Sequence, residues 1–326
     1  MFSSVINRFA DKIISEHDRL GVIPEKLDGK CTSFNQPRLL CNTRAIVFLS
    51  IYFELKDDKR AIGYAADIYR SIREHYGLME SYLNQLSSYE LAFLALAQGR
   101  LYKALGNTSE FSLQEDIHTT VTTIDKRHSN HACFAPLARA DCLELNSAMH
   151  IVEALGFLRC NGLVKDSYLL ESLSSRIIEL FFDKNNYLFA ELISADSGDF
   201  LAYDLGHNFE WVSIIIEYGL SDLFDIDLTD LFNSARILAN PTVGVIQPLV
   251  DGELNYLHER KRIWQSCEYL RASFNMQCAD REYMIFFADC FFIGDSFLEF
   301  YGDEGASYKS TTGYHLIECY KKLSQF

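Results

Sequence analysis

The sequence predicts an all-α fold in which helices pack as a barrel around an apolar core. Helical periodicity of the apolar residues runs along most of the chain. Of the 326 residues, 48% are hydrophobic and only five are prolines, and no Gly/Ser-rich or Pro-rich linker interrupts them. About a dozen helices joined by short connections suit an α/α barrel or a solenoid, but the fixed-period repeat of a solenoid is missing. We therefore expect one domain, residues 1–326, with a large core.

The periodicity gives the helices and their ends. Several runs stop just before a glycine, as helices with C-terminal glycine caps do: Gly77, Gly106, Gly162 and Gly219 hold such positions. The predicted helices are 3–19, 37–55, 59–76, 87–105, 112–124, 134–161, 166–182, 207–218, 228–238, 259–276, 280–300 and 312–324.

Two stretches have a different, strand-like character. Residues 187–203 contain two apolar and aromatic runs around Asp-Ser-Gly-Asp, and residues 245–256 centre on Asp251-Gly252, a strong hairpin signal. Each stretch comes just before a predicted helix that begins with polar residues. We therefore expect short β-hairpins in loops beside a functional cleft.

Charge and cysteine usage restrict the partners and the compartment. A net charge of −15 repels phosphate backbones and anionic lipid, so we expect neither nucleic-acid nor membrane partners. Nine cysteines without a CxxC pair indicate a reducing cytoplasm. The most apolar run, YMIFFADCFFIGDSFLEFY, is interrupted by Asp289 and Asp295, which favours a core helix over a membrane span. The oligomeric state is left open, and a homodimer is compatible with the sequence.

Polar residues interrupt five otherwise apolar helices. A single histidine on an apolar face is usually a satisfied core residue. Five such helices are harder to explain singly, because each buried polar group would need its own partner. Convergence on one wet cleft would satisfy all of them. The residues are Arg44, then Asn146 and His150 one turn apart, His207 and Glu210, Trp264 and Glu268, and His315 behind Ser310-Thr311-Thr312.

These residue types suit proton transfer on a sugar. Two histidines can move protons in both directions near neutral pH. Glutamates can orient the imidazoles, an arginine can stabilise an oxyanion, and an indole can stack on a pyranose ring. The sequence shows no serine nucleophile motif, phosphate-binding glycine loop or dinucleotide fingerprint. Proton abstraction beside the carbonyl of a polyhydroxylated substrate is the chemistry that this set favours.

Five ordered motifs carry a family resemblance: NTRAIVF, NSAMHIVEA, GHNFEW, RIWQSCEYLRA and KSTTGYH, spread from Arg44 to His315. They resemble the N-acylglucosamine 2-epimerase superfamily, which also contains cellobiose 2-epimerases and the mannose and sulfoquinovose aldose–ketose isomerases. The resemblance implies an (α/α)6 barrel with its active site in the central cleft. It also implies a small-molecule sugar substrate and no cofactor or metal.

The resemblance also implies roles for individual residues. The reaction would open the sugar ring, remove the C2 proton to form a cis-enediol, and return a proton to C1 or to the opposite face of C2. His207 and His315 would be the acid/base pair, Arg44 would lie near O1 and O2, Glu210 and Glu268 would orient the histidines and bind hydroxyls, and Asn146, His150, Trp211 and Trp264 would line the sugar pocket.

The branch of the family is indicated by GHNFEW. Tryptophan directly after the glutamate is typical of members resembling mannose isomerase, whereas epimerase branches more often read GHxxEAxW, and Ser213 stands where their tryptophan would be. The leading hypothesis is a ketol-isomerase acting on a mannose-like sugar, with a 2-epimerase as the alternative. The connections from Arg44 to Asn146 and from Glu268 to His315 are short for the family, which leaves the size and modification of the sugar open.

Other functions deserve comparison. A glycoside hydrolase on the same barrel would use Glu210 and Glu268 at the separation of about 6.5–9.5 Å that inverting enzymes need. A non-catalytic sugar-binding protein would be expected to have lost one of the two histidines. His128, His131 and Cys133 are zinc-binding types without a fourth ligand at a usual spacing, so we expect a polar loop there. The GDS at 294–296 lacks the strand context of a hydrolase serine, so we expect it to lie in a core helix.

Overall fold

The structure, a computed structural model, describes residues 1–30, 38–106, 112–129, 132–134, 141–165, 168–241, 244–257, 260–279, 281–306 and 308–325. Helices dominate these ranges. They are α1 (Phe2–Leu20), α2 (Leu39–Lys56), α3 (Lys59–Tyr76), α4 (Glu80–Leu83), α5 (Ser88–Leu105), α6 (Leu113–Ser129), α7 (Asn146–Cys160), α8 (Tyr168–Phe181), α9 (Leu205–Glu217), α10 (Ser221–Phe224), α11 (Leu228–Ala239), α12 (Ile263–Asn275), α13 (Arg281–Phe291) and α14 (Gly313–Leu323). Two 3-10 turns, Ala132–Phe134 and Ser310–Thr312, complete the helical elements.

Six helices form a closed inner ring. In order around the ring, α2 packs on α5, α5 on α7, α7 on α9, α9 on α12, α12 on α14, and α14 returns to α2. Six longer helices lie outside this ring: α1, α3, α6, α8, α11 and α13. The prediction of an all-α (α/α)6 barrel is therefore confirmed.

The two rings differ in how their sequences pack. The inner helix α2 is buried at every residue from Leu39 to Tyr52, because neighbours cover it on all sides. Its outer partner α3 buries one stripe only, with Ala61, Ala65 and Ile68 at helical spacing and polar residues on the opposite face. Polar residues on such inner helices need either the opening of the barrel or a buried polar partner.

Short strands gather beside the opening. Those in the main sheet are β1 (Cys142–Glu144), β4 (Leu192–Ser194), β5 (Phe200–Asp204) and β6 (Leu249–Asp251), antiparallel in the order β1-β4-β5-β6. The predicted hairpin at 187–203 is confirmed, since β4 and β5 flank the Asp-Ser-Gly-Asp turn. At the second predicted turn, a Cβ on Gly252 would lie 2.1 Å from the Phe200 carbonyl oxygen, so only glycine fits against β5. Two-stranded pairs are formed by β2 (Phe182–Asp183) with β3 (Leu188–Phe189), and by β7 (Phe292–Ile293) with β8 (Ser296–Phe297).

Two helices are shorter than the sequence predicts. The helix predicted at 134–161 begins only at Asn146, because residues 142–144 pair as a strand with β4; residues 135–140 lie outside the described ranges. The helix predicted at 280–300 ends at Phe291, where β7 and β8 form a hairpin with Gly294 at a φ of 61°. Gly294 and Asp295 of the GDS therefore form a turn and Ser296 begins β8, so the prediction of a core helix there is wrong. Apolar runs of this length do not distinguish a buried helix from strands.

No helix in the described ranges is both long enough and apolar enough to cross a lipid bilayer. The apolar run around Asp289, which the sequence analysis considered as a core helix, is divided between α13 and the hairpin of β7 and β8.

Candidate active site

One cavity of about 270 Å³ opens where the inner helices begin. Every inner helix contributes a lining residue from its first two turns. The barrel therefore points six helix N-termini, with their partial positive charges, toward the same space. The lining residues are Arg38, Leu40, Arg44, Tyr89, Asn146, His150, His207, Arg262, Trp264, Lys309, Thr311, Thr312 and His315.

His207 is held by two carboxylates. Asp204 caps α9 and accepts a hydrogen bond from the His207 backbone N–H at 3.2 Å, and the His207 Nδ1 lies 2.8 Å from Glu191 Oε2. Burial opposes a charged ring, but the negative charges of Glu191 and Asp204 outweigh it and raise the pKa of His207 to about 10. His207 is therefore an imidazolium at neutral pH.

His315 has the opposite electrostatic environment. Its Nδ1 lies 2.7 Å from Glu268 Oε1, and the second oxygen of Glu268 accepts from Arg271 at 3.3 Å. Burial, together with the nearby positive charges of Arg44 and His207, lowers the pKa of His315 well below 6.5. His315 is therefore a neutral imidazole, whose Nδ1 is engaged by Glu268.

Trp264 stands between the two histidines. Its ring centroid lies 5.0 Å from that of His207 and 5.0 Å from that of His315, with an interplanar angle of 36° in both cases. Both imidazoles line the same cavity. The indole is 7% exposed and lines the cavity.

Arg44 is fixed in place by its surroundings. One Nη donates to the Thr311 carbonyl at 3.0 Å and the other donates to the Tyr89 hydroxyl. The guanidinium carbon lies 4.2 Å from the ring centroid of Phe93, a cation–π distance. No carboxylate neutralises Arg44 among the salt bridges of the described residues, so its charge is directed at the cavity.

Asn146 and His150 line the wall formed by α7. His150 Nδ1 lies 3.0 Å from Glu153 Oε2, which orients the ring. The Asn146 Oδ1 is buried and has no partner within the described part of the chain. A buried amide oxygen in that state is available to a ligand hydroxyl.

A cluster of buried carboxylates lies beneath the cavity. Tyr314 donates its hydroxyl to Glu153 and also lies 3.3 Å from Glu210 Oε1. Donor atoms of Glu210, Glu268 and His315 lie within 4.8 Å of one another, as do those of His150, Glu153 and Glu210, so the spacing would fit a cation. Hydrogen bonds of Tyr314, His150 and Glu268 engage most of this cluster, whereas Glu210 Oε2 has no partner among the described residues, and we assign no metal to it.

Two predicted site residues are not on the cavity wall. Trp211 is fully buried, stacked on Phe189 at 4.9 Å and packed against Phe224, so the prediction that it lines the pocket is wrong. Glu210 is also fully buried and does not touch His207 in any described hydrogen bond. Both residues follow His207 by about one helical turn, so they lie deeper in the barrel than the cavity, on a helix that is covered nearly all round.

Several site residues escaped the sequence reasoning. Glu191, and not Glu210, is the carboxylate that holds His207. In the sequence Glu191 is a single carboxylate inside the apolar stretch 187–194, and nothing near it in the chain indicates His207 as its partner. Arg38, Arg262 and Lys309 carry a different signal, because each is the residue immediately before a helical element, at the N-caps of α2, α12 and the 310–312 turn.

The possible zinc-binding sequence stays without support as a metal site. His131 lies outside the described residues. His128 Nε2 lies 2.8 Å from Ser172 Oγ, and burial raises the pKa of the Cys133 thiol to about 12, which disfavours the thiolate that zinc requires.

Solved structures share this architecture. A D-mannose isomerase aligns with a TM-score of 0.71 at 16% identity, covering 98% of this chain and 97% of that one. The cellobiose 2-epimerase from Spirochaeta thermophila DSM 6192 aligns with a TM-score of 0.69 at 11% identity, covering 99% and 97%. An inactive variant of an α-1,6-mannanase from Salegentibacter sp. HEL1_6, solved with α-1,6-mannotriose, aligns with a TM-score of 0.69 at 13% identity, covering 99% of each chain. At these identities the likeness establishes the fold.

The sequence itself identifies the family. No curated protein matches the chain. A family model described as N-acylglucosamine 2-epimerase matches residues 67–286, about two thirds of the chain. Arg44 and His315 lie outside that match, and the closure of α14 onto α2 brings them into the same cavity as His207. The chain belongs to the N-acylglucosamine 2-epimerase family.

Proposed function

We propose that the protein interconverts an aldose and a ketose of mannose-like configuration by proton transfer through a cis-enediol. The observation that carries the proposal is the pair of imidazoles with opposite protonation, both in contact with Trp264 on one cavity. Titratable groups whose environments push their pKa values apart supply a base and an acid at the same pH.

His315 is the proposed base. Its Nδ1 hydrogen bond to Glu268 leaves Nε2 as the nitrogen that can accept the C2 proton of the open-chain sugar. His207, as an imidazolium, is the proposed acid: as the pyranose opens it protonates the ring oxygen and takes up the O1 hydroxyl proton, and it then protonates the carbonyl oxygen O1 as the enediol forms. The proton on His315 next goes to C1 while His207 takes the O2 hydroxyl proton, which yields the ketose and returns both histidines to their starting states.

Arg44 is the proposed stabiliser of the enediolate. Its guanidinium is held by Thr311 and Tyr89, so it is preorganised and does not have to reorient as negative charge develops. The six helix N-termini add partial positive charge around the same cavity. Trp264 offers a stacking face to the sugar, and the free Asn146 Oδ1 accepts from a hydroxyl.

A sugar 2-epimerase is the second candidate. An imidazolium at His207 and a neutral ring at His315 would also suit removal of the C2 proton from one face and its return to the other. The GHNFEW motif favours the isomerase. The product, ketose or C2 epimer, distinguishes the two activities.

A glycoside hydrolase is less well supported. Glu210 and Glu268 are fully buried, neither lines the cavity, and their oxygens lie within 4.8 Å, shorter than the separation of about 6.5–9.5 Å for inverting hydrolysis. The mannanase variant named above is inactive through replacement of two adjacent aspartates. In this chain adjacent aspartates occur only at Asp57-Asp58, beyond the end of α2 opposite to the cavity.

The test is isotope exchange with free sugars. The protein would be incubated in heavy water with mannose, glucose, fructose and N-acetylmannosamine, with hydrogen at C1 and C2 followed by NMR and products separated by chromatography. We expect deuterium at C2 or C1 together with ketose formation. His315→Asn should abolish exchange, while His75→Asn, which alters an exposed histidine on α3, should not.

Two results would overturn the proposal. One is release of reducing ends from a mannoside or glucoside without any exchange at C2 of free sugars. The other is full exchange activity in His315→Asn, since that would remove the proposed base without consequence.

A further inference from the structure

A second cavity lies at the end of the barrel opposite to the candidate active site. It has a volume of about 430 Å³ and opens where the inner helices α5, α7, α9 and α14 end, whereas the candidate active site lies where the inner helices begin. Among the described lining residues, the two cavities have none in common. The wall of the second cavity includes Arg100, Lys103, Cys160, Tyr218, Lys321 and Lys322.

Ion pairs close the barrel behind the second cavity. Arg100 is 1% exposed and donates to Glu318 at 2.6 Å, and the fully buried Arg271 donates to Glu217 at 2.8 Å. Buried ion pairs are a weak source of stability, because well-packed apolar side chains in their place are often equally stable or more stable. Stability alone therefore does not explain why this end of the barrel is polar.

Two buried donors in the same wall lack acceptors. The Tyr218 hydroxyl and the Arg100 Nε are both closed to solvent, and neither has a hydrogen-bond partner among the described residues. Both side chains pack against Phe157: the guanidinium carbon lies 4.3 Å from its ring centroid, and the Tyr218 ring lies 6.3 Å from it, edge-on. Buried polar groups without partners are rare, because leaving them unpaired costs free energy.

The missing partner is an acceptor. An arginine Nε can only donate. Burial, together with the negative charges of Glu153 and Glu318, raises the pKa of Tyr218 well above 10, so its hydroxyl keeps the proton that it can donate. Two donors side by side therefore need one or two acceptor oxygens.

Positive charges outnumber negative ones around the second cavity. Lys322 is half-buried and forms no salt bridge within the described part of the chain. Lysines near the C-terminal ends of helices are favoured by the helix dipole, but the dipole does not explain the two unpaired donors. Four cations (Arg100, Lys103, Lys321 and Lys322) and two carboxylates (Glu217 and Glu318) line the cavity; adding their ion-pair partners Arg271 and Glu54 gives five and three.

The wall has an inner and an outer part. The side chains of Lys103 and Lys321 are 43% and 24% exposed, whereas that of Arg100 is 2% exposed. Glu217 and Glu318 lie in the same wall, so a second negative charge on a ligand would be repelled. A ligand with one negative charge and two acceptor oxygens at one end fits both parts.

We propose that the second cavity binds a small organic carboxylate, whose oxygens accept from Tyr218 and Arg100 and whose charge is balanced by Lys322. Hydrogen bonds from a guanidinium or an ammonium group to a carboxylate are among the strong ones in proteins. The remainder of the acid projects toward the partly exposed lysines. The proposal does not depend on the proposed function, because it involves a different end of the barrel.

The first test is binding of small anions to the full chain. Sodium acetate and inorganic phosphate would be titrated at constant ionic strength and pH, with binding followed by calorimetry and by NMR saturation transfer. We expect saturable binding of acetate and weaker binding of phosphate, since the second charge of phosphate is repelled by Glu217 and Glu318. Tighter binding of phosphate would overturn the assignment of a carboxylate.

Variants locate the bound acetate. Lys322→Met and Tyr218→Phe should each weaken acetate binding about tenfold. Tyr218→Phe should not lower Tm, because the hydroxyl that it removes has no partner among the described residues. Lys59→Met and Tyr301→Phe, at exposed positions, are the matched controls and should bind acetate like the wild type.

Cys160 provides a reporter inside the second cavity. It is exposed and lines the cavity, whereas Cys278 is exposed elsewhere. Each thiolate displaces iodide from iodoacetate, which carries a carboxylate, or from iodoacetamide, which is neutral, and mass spectrometry gives both rates for each cysteine. We expect the ratio of the iodoacetate rate to the iodoacetamide rate to be several-fold higher at Cys160, and to fall when acetate is added.

Three results would overturn the proposal. Acetate that does not bind saturably would mean that the Tyr218 and Arg100 donors meet only water. Wild-type affinity in both Lys322→Met and Tyr218→Phe would place bound acetate elsewhere in the molecule. An equal ratio of alkylation rates at Cys160 and Cys278, unaffected by acetate, would exclude a carboxylate from the second cavity. None of these results bears on hydrogen exchange in sugars, so the proposed function would stand or fall separately.

Discussion

Glu268 Oε1 lies 2.7 Å from His315 Nδ1, beneath the cavity and away from solvent. The contact couples the proton on Nδ1 of the ring to the protonation of Glu268. When Glu268 accepts from Nδ1, Nε2 keeps its lone pair for the substrate. The same glutamate is held by Arg271, so the orientation of His315 depends on a chain of buried polar groups.

Glu268→Gln should therefore damage catalysis more than folding. The glutamine amide can donate to Nδ1 and so favour the wrong tautomer of His315, and we expect kcat to fall by about 10²- to 10⁴-fold. The measurement is steady-state turnover, with circular dichroism to verify folding. Glu115→Gln, at an exposed position of α6, is the matched control. Activity close to that of the wild type would mean that Glu268 does not orient the base.

The Glu191 carboxylate should determine the alkaline limit of activity. With a pKa of about 10, His207 stays protonated, so activity should persist to about pH 10 before the acid is lost. His315, whose pKa is lowered, should stay neutral well below pH 6.5, so the acidic limit should lie in that lower range. Glu191→Gln removes the negative charge that contributes most to raising the pKa of His207. The alkaline limb of the pH–rate profile should therefore move to lower pH. An unmoved limb would assign the acid to another group.

Stability should follow the same titration. The folded-state pKa of His207 lies above the ordinary value of 6.5, so protonation favours the folded state. This contribution is complete below pH 6.5 and is lost as the pH rises through about 10. The wild-type Tm should fall over that window more steeply than the Tm of Glu191→Gln. Glu74→Gln, at an exposed site, should behave like the wild type.

The two tryptophans should respond differently to the same substitution. Trp264→Phe shortens the ring that contacts both histidines, so KM for the sugar should rise several-fold. Trp211→Phe alters a core residue stacked on Phe189, so it should lower Tm and leave KM unchanged. Trp264→Ala should raise KM further and cost about 3 kcal/mol of stability. If KM rises in Trp211→Phe and stays unchanged in Trp264→Phe, the sugar binds near Trp211 and not in the cavity lined by Trp264.

Arg271 should be essential for the stability of the barrel. It is fully buried and donates to Glu217 at 2.8 Å as well as to Glu268. Although burial opposes the charge of Glu217, Arg271 lowers the pKa of that carboxyl, so Arg271→Met would leave buried carboxylates uncompensated. We expect a loss of about 3–5 kcal/mol, larger at pH 8 than at pH 5, because the carboxylates can take up protons at the lower pH.

A double variant separates charge from packing in this network. Arg271→Met with Glu217→Gln removes one of the two stranded carboxylates, so part of the lost stability should return in chemical denaturation. The double variant could instead be less stable than Arg271→Met by the full cost of a second lost contact. In that case the stability lost in Arg271→Met comes from packing and not from uncompensated charge.

The helices were predictable because their pattern is local. Apolar spacing located α2, α3 and α5 to within two residues, since each helix buries a surface determined by its own sequence. The same reasoning extended α7 and α13 too far. Residues 142–144 pair with the distant strand β4, and residues 292–297 form a hairpin of β7 and β8. Strand pairing of this kind depends on the tertiary structure and not on local spacing.

The candidate site was predictable only in part, for a similar reason. His207, His315, Arg44, Asn146, His150 and Trp264 are polar or aromatic residues at the starts of apolar helices, and all of them line the cavity. Trp211 fits the same description but faces the packed interior. Glu191 reaches His207 from a strand region 16 residues earlier in the chain, a pairing that no helical spacing could indicate.

By itself the sequence determined the helical class, the residues able to move protons, and the family, because these depend on residue type and on spacing along one element. Only the tertiary structure decided that Glu191 charges His207 while burial and nearby cations keep His315 neutral, and that Arg38, Arg262 and Lys309 meet at one rim. Protonation and charge complementarity depend on distances through space, and those distances exist only once the inner ring has closed.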